Sequence, residues 1–188
     1  MHHFAMVATG DDIRLRRLTP ADADHMNALL QRLSPQSRYR RYFRFMSSIP
    51  PADVARFVAV SPNHMAVGAF DNGVLVGAAQ YFRSTARPDH AEATVEVADS
   101  HQRRRVGTRL AVELARLAAH EGITHFTATV LTENRPVLGL MRHSGWDMAT
   151  TLDGAYAEVV VTLPRDHCLP DSTSIGHGCP VPAGLSTA

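Results

Sequence analysis

The sequence predicts a single α/β domain built on a mixed sheet, and three observations carry that expectation. Met65 to Phe70 and Val74 to Phe82 are strand-like runs joined by Asp71-Asn72-Gly73. Asn-Gly accepts the positive φ of a tight hairpin turn. Residues 106–119 put Val106, Leu110, Leu114, Leu117 and Ala118 on one helical face,. Strand-like runs at 93–98 and 123–130 flank that helix, which makes it a crossover between two strands of the sheet,.

The elements follow in order. Ile13-Arg14-Leu15-Arg16 alternates as a first strand,. Thr19-Pro20-Ala21-Asp22 opens a helix, with Thr as N-cap, Pro in the first turn and Asp at the positive end of the dipole,. Met26, Leu29, Leu30 and Leu33 continue it at helical spacing,. A second helix starts at Ser34-Pro35 and carries Tyr39, Tyr42, Phe43 and Phe45 among Arg38, Arg40, Arg41 and Arg44. Pro50-Pro51-Ala52-Asp53 starts a short third helix,. After the hairpin come a loop at 83–90, the strand Ala93 to Ala98 and the long helix, which Gly122 ends as a left-handed cap,. Ile123 to Val130 is a strand, Pro136 to His143 a short helix, and a last pair of strands closes with Tyr156 to Leu163. Residues 1–164 are thus expected to form the domain. The Pro-, Gly- and Ser-rich stretch 165–188 is expected to be a flexible tail unless it docks,.

At 188 residues the chain can bury one real core,. No apolar run is long enough to span a bilayer and the N-terminus lacks the pattern of a secretory signal, so a cytoplasmic protein is expected,. A net charge of +1 gives no bulk reason to expect nucleic acid or membrane as a partner,. All 19 basic residues are Arg and none is Lys, a bias that suits a GC-rich bacterial genome. Cys168 and Cys179 both fall in the tail, so disulfides do not hold the domain together,. His167-Cys168 and His177-Gly178-Cys179 offer zinc-type ligands without paired Cys-x-x-Cys spacing, and no metal is expected,.

The stretch with most chemical content is Val97-Ala98-Asp99-Ser100-His101-Gln102-Arg103-Arg104-Arg105-Val106-Gly107-Thr108. A strand ends, a basic turn follows, and a long helix begins. Free N–H groups at a helix start bind anions, a glycine lets a phosphate approach the backbone, and three arginines add charge. The Gly-Lys-Ser/Thr ending of a Walker motif is missing,. A solvated basic turn is the competing reading of this segment.

These residues resemble motif A of the GNAT superfamily of N-acetyltransferases, Gln/Arg-x-x-Gly-x-Gly/Ala, through Gln102, Arg103-Arg104 and Gly107. Arg105 stands where the first motif glycine is usual. A side chain there fits if it turns outward at negative φ or lies on the 3′-phosphate of CoA. Thr129 to Pro136, containing Asn134, resembles the family's strand and cofactor-contacting Asn. Leu140 to Trp146 resembles the closing helix, with Gly-Trp for Gly-Phe. Leu33-Ser34-Pro35-Gln36-Ser37-Arg38-Tyr39 looks like the acyltransferase domain of bacterial Pat-type protein-lysine acetyltransferases.

The resemblance covers residues 13–163 and implies the GNAT fold, a mostly antiparallel mixed sheet of about six or seven strands with four or five helices. It implies acetyl-CoA as donor and an amine as acceptor, first a protein lysine, with a small amine as the alternative and a monomer or homodimer as the state. Glu92 matches the general base, a carboxylate suited to removing the amine's proton,. Glu96, on the same side of a regular strand, is the second choice,. The backbone N–H of Val97 is implied as oxyanion donor, and Val97, Gln102 to Thr108 (Val106 among them) and Asn134 as the cofactor-binding set. Met141 occupies the position of a frequent Tyr acid. Arg105 and the missing phenol also suit a different class, a CoA-binding sensor without turnover. The aromatic-basic helix could bind nucleic acid, but aromatics packed inward with arginines solvated outward account for it equally well.

Overall fold

The computed structural model describes residues 13–46, 50–143 and 145–164; the tail expected at 165–188 lies outside them. In chain order the elements are β1 (Ile13–Arg17), α1 (Ala23–Gln31), α2 (Pro35–Tyr42), α3 (Pro51–Phe57), β2 (His64–Asp71), β3 (Val74–Arg83) and β4 (His90–Val97). They continue as α4 (Val106–His120), β5 (His125–Leu131), α5 (Arg135–His143), β6 (Met148–Asp153) and β7 (Tyr156–Thr162). One seven-stranded sheet runs β1-β2-β3-β4-β5-β7-β6. Every neighbour is antiparallel except β4 and β5, which α4 joins as the crossover.

Two cores form on the two faces of this sheet. On one, Val106, Leu110, Leu114 and Ala118 of α4 bury against Val67, Val76, Phe126 and Val159. On the other, Met26, Leu29 and Leu30 of α1 and Val54 and Phe57 of α3 bury against Phe70, Leu75 and Ala78. Strand alternation divides β4 between them: Ala91 belongs to the α4 side, whereas Glu96 is opposite Ala78 on the α1–α3 side,. The Asn72-Gly73 turn takes φ of 48° and 80°, as an Asn-Gly hairpin should,.

Three local expectations shift. The first helix begins with a 3-10 turn at Pro20–Asp22, because the Asp22 carboxylate accepts from the Thr19 N–H and hydroxyl and closes a capping box one turn early,. The second helix stops at Tyr42, where Phe43 is left-handed at φ 57°, so Phe45 lies beyond it and is 82% exposed. β4 begins at His90 rather than Ala93, since its first residues pair with β3 and β5 at once.

Candidate active site

β4 and β5 touch along only one short seam, His90↔His125, Ala91↔Phe126 and Glu92↔Thr127. Beyond it β4 stays with β3 and β5 stays with β7, so a gap opens between Ala93–Val97 and Ala128–Leu131. Parallel neighbours end at the same edge of a sheet. The loop into α4 and the loop into α5 therefore both lie over the mouth of this gap, the place where open α/β sheets bind ligands.

The backbone at the mouth presents donors. Ala98 N–H donates to Val76 O on β3. By alternation, the polar groups of Val97 face the other way, toward the gap. The Gln102 side chain confirms the direction by donating to Val97 O at 3.1 Å. Gln102 thus braces the strand end and also donates to Ser37 Oγ at 3.3 Å. In the turn that follows, Arg103 and Arg105 stand at φ 61° and 60°. The first helical hydrogen bond of α4 runs from Arg109 N to Arg105 O, so the N–H groups of Val106, Gly107 and Thr108 precede the ladder,. Of the two ways the sequence offers to accommodate Arg105, a negative φ or a place on the 3′-phosphate, the negative φ is not adopted. This turn needs a left-handed residue before the helix, and the arginine adopts it with its side chain exposed,.

Gly107 keeps α4 and α5 in contact: a Cβ there would stand 3.1 Å from Leu140 Cδ1 and 3.6 Å from Val97 Cγ2. Asn134 is buried at the head of α5 and its carbonyl accepts from Leu138 N. Met141 packs partly buried against the α4-side core. His101, just before this turn, pairs with Asp71 at 3.0 Å.

The two candidate bases occupy unlike surroundings. Glu92 is exposed at the vertex of the gap, opposite Phe82 and Thr127. Glu96 lies nearer the mouth, with its side chain 3% exposed and bonded to Arg41 Nε at 3.0 Å. Arg41 Nη2 also donates to Thr94 Oγ1 at 3.3 Å. Burial pushes the Glu96 carboxyl above its ordinary value, and the Arg41 guanidinium opposes that shift. Its Oε1 and the Tyr42 hydroxyl are both buried without a hydrogen-bond partner. Burial, with Glu96 nearby, also raises the Tyr42 phenol. The picture of α2 with arginines solvated outward is corrected here: α2 buries no residue fully, and Arg41 turns inward because a buried carboxylate awaits it.

Asp99 was missed by sequence reasoning and ties the two sides of the site together. It accepts from Ser34 N, Ser34 Oγ and Ser37 Oγ, each at 2.9 Å, and so fastens the start of α2 to the end of β4. Desolvation works to raise Asp99, but those hydrogen bonds hold it below the usual carboxylate range. Its partners lie some sixty residues away in the chain, so no local pattern marks it. The tail histidines and cysteines lie outside the described residues.

The chain matches the family model for the acetyltransferase (GNAT) family over residues 27–146. It is similar to the GNAT domain of S. lividans PAT, with 26% identity, a TM-score of 0.75, and coverage of 80% of this chain and 90% of that one. Diaminobutyrate acetyltransferase EctA from Paenibacillus lautus, solved with its substrate and coenzyme A, is 20% identical, with a TM-score of 0.62 and coverage of 82% and 96%. The PaiA N-acetyltransferase of Thermoplasma acidophilum, solved with coenzyme A, is 14% identical, with a TM-score of 0.65 and coverage of 80% and 98%.

Proposed function

The chain belongs to the GNAT acetyltransferase family and is an acyl-CoA-dependent N-acyltransferase, and on that premise we propose that it acetylates a protein lysine, with Glu92 as general base. One observation carries this reading: the gap between β4 and β5 has Glu92 at its vertex and the α4 N-terminus at its mouth. The lysine acceptor is supported by α2 with its Ser34 cap, whose sequence resembles the Pat type, and by the similarity to the S. lividans PAT domain. A small diamine is the second candidate, since EctA shares the fold.

The residues at the mouth suit a CoA pyrophosphate. Two left-handed arginines and three N–H groups ahead of the α4 ladder form an anion-binding turn, and Arg103, Arg104 and Arg105 surround it with positive charge,. Acetyl-CoA, when bound, supplies the thioester carbonyl as electrophile. The Val97 N–H, directed into the gap, stabilises negative charge on that carbonyl oxygen. Glu92 accepts the proton of the attacking amine, directly or through water, and its exposure lets the proton pass on to solvent,. Glu96 keeps Arg41 and α2 in place, and its engagement with Arg41 makes it the weaker candidate for base. Leaving-thiolate protonation falls to solvent, because Met141 carries no acidic proton.

Glu92→Gln is the direct test, with Glu96→Gln beside it. Loss of turnover by about 100-fold or more in Glu92→Gln, with acetyl-CoA affinity unchanged by calorimetry, is the outcome expected of a general base. Full activity in Glu92→Gln and loss in Glu96→Gln would transfer the role to Glu96.

A further inference from the structure

At the closed end of the gap, away from Val97, three ligand-type side chains meet. We propose that Asp89, His90 and His125 form an accessory site for a divalent transition-metal ion, zinc first, which clips β4 to β5. One ligand atom from each residue lies within 4.8 Å of the others. Zinc bonds of about 2.0–2.1 Å set tetrahedral ligand atoms about 3.3 Å apart, so binding requires the three side chains to draw together and the stacked imidazoles to turn out of parallel,. The Asp89 Oδ1 to His90 Nδ1 separation is already 3.1 Å.

Backbone register accounts for the arrangement. His90 and His125 are partners in the parallel pair, which points both imidazoles to one face of the sheet, with ring centroids 4.5 Å apart and planes 16° from parallel. His90 Nδ1 is buried yet has no well-directed hydrogen bond, although the Asp89 carboxylate is beside it. A buried imidazole nitrogen with a carboxylate alongside and no aligned donor or acceptor is the situation that a shared cation resolves.

Thr124 Oγ1 stands between Asp89 and His125, 3.2 Å from Asp89 O, 3.4 Å from Asp89 Oδ2 and 2.8 Å from His125 Nδ1. When the hydroxyl gives its proton to Asp89, His125 Nδ1 carries the ring proton and Nε2 keeps the lone pair for an ion. Two imidazoles and one carboxylate favour zinc, nickel or copper over magnesium and calcium, which prefer oxygen. With three protein ligands, water completes the coordination.

The consequence of such an ion is mechanical. Only three residue pairs join β4 to β5, and His90↔His125 is the first of them. An ion on that pair fastens the two parts of the sheet where they part, without entering the cofactor end of the gap.

The test uses the full chain. Zinc chloride is titrated by calorimetry, with thermal unfolding in parallel and magnesium chloride as the oxygen-preferring control. Expected are one zinc per chain, a raised Tm with zinc and none with magnesium, and affinity weakened about tenfold or more in both His125→Ala and Asp89→Asn. Should His125→Ala fail to fold, Asp89→Asn, altered at an exposed side chain, carries the same expectation. No zinc-dependent rise in Tm would overturn the proposal. So would binding that both variants keep and that alkylation of Cys168 and Cys179 removes, which would put the metal on the tail.

Discussion

Arg103 and Arg105 hold left-handed backbone at the head of α4, a region that costs an L residue about 1–2 kcal/mol where glycine pays little,. The turn proposed to hold the CoA pyrophosphate thus keeps its left-handed course with arginines in it. Arg105→Gly is therefore expected to raise stability by about 1 kcal/mol in chemical denaturation. Acetyl-CoA affinity should be retained or reduced only by the lost charge. Gained affinity would mean that the Arg105 side chain obstructs the turn. Asp22 is the other residue whose chemistry dominates its surroundings. Hydrogen bonds from Arg16, at 2.6 and 2.9 Å, outweigh desolvation and hold its carboxyl far below the ordinary 3.8. A lowered value means its contribution is complete above that ordinary value and disappears as pH falls below it,. Asp22→Asn should cost about 1–3 kcal/mol at neutral pH, and the gap to wild type should narrow in acid. A helix start was legible from Thr19-Pro20-Ala21-Asp22, but that Asp22 accepts from Thr19 and pairs with Arg16 needed β1 and the turn in place.

At the scale of elements, α2 is held by polar contacts where most helices are held by apolar ones. It buries no side chain fully, and Asp99 and Glu96 fasten its two ends through Ser34, Ser37 and Arg41. Asp99→Ala should therefore loosen α2 while the cores beneath α1 and α4 persist. The expected result is a rise in acceptor KM with Tm little changed, and hydrogen exchange faster across Pro35–Tyr42 than elsewhere. Uniformly faster exchange would show that Asp99 supports the whole fold. The elements themselves were readable because periodicity and caps are local: the Asn-Gly hairpin and the stripe of α4 needed no partner to be recognised. The ends of α2 and β4 were not readable. Phe43 turns left-handed and His90 joins the sheet because of contacts made with distant segments, and the inward turn of Arg41 depends on a carboxylate fifty-five residues on.

The whole molecule is organised around an incomplete join. The loop motif identified the mouth of the gap from sequence, since a strand, a basic turn and a helix are contiguous. Its vertex, where β4 meets β5, is a tertiary fact that only the register reveals. Leu110, Leu114 and Ala118 of α4 share one continuous core with Val67 and Val76 on one side of the seam and Phe126 and Val159 on the other, so that core spans the join. The chain thus has a natural place to be cut, in the turn around Gly122 between α4 and β5. Expressed as separate pieces, 1–122 and 123–188 should reassemble, with Phe126, Val159 and Val161 of one docking on α4 of the other. In the proposed binding mode the donor molecule spans the gap, so its binding energy adds to that of reassembly and acetyl-CoA should tighten the association of the pieces. A split reporter carried on the two fragments would then read cofactor concentration, turning an enzyme's unfinished strand pairing into a sensor.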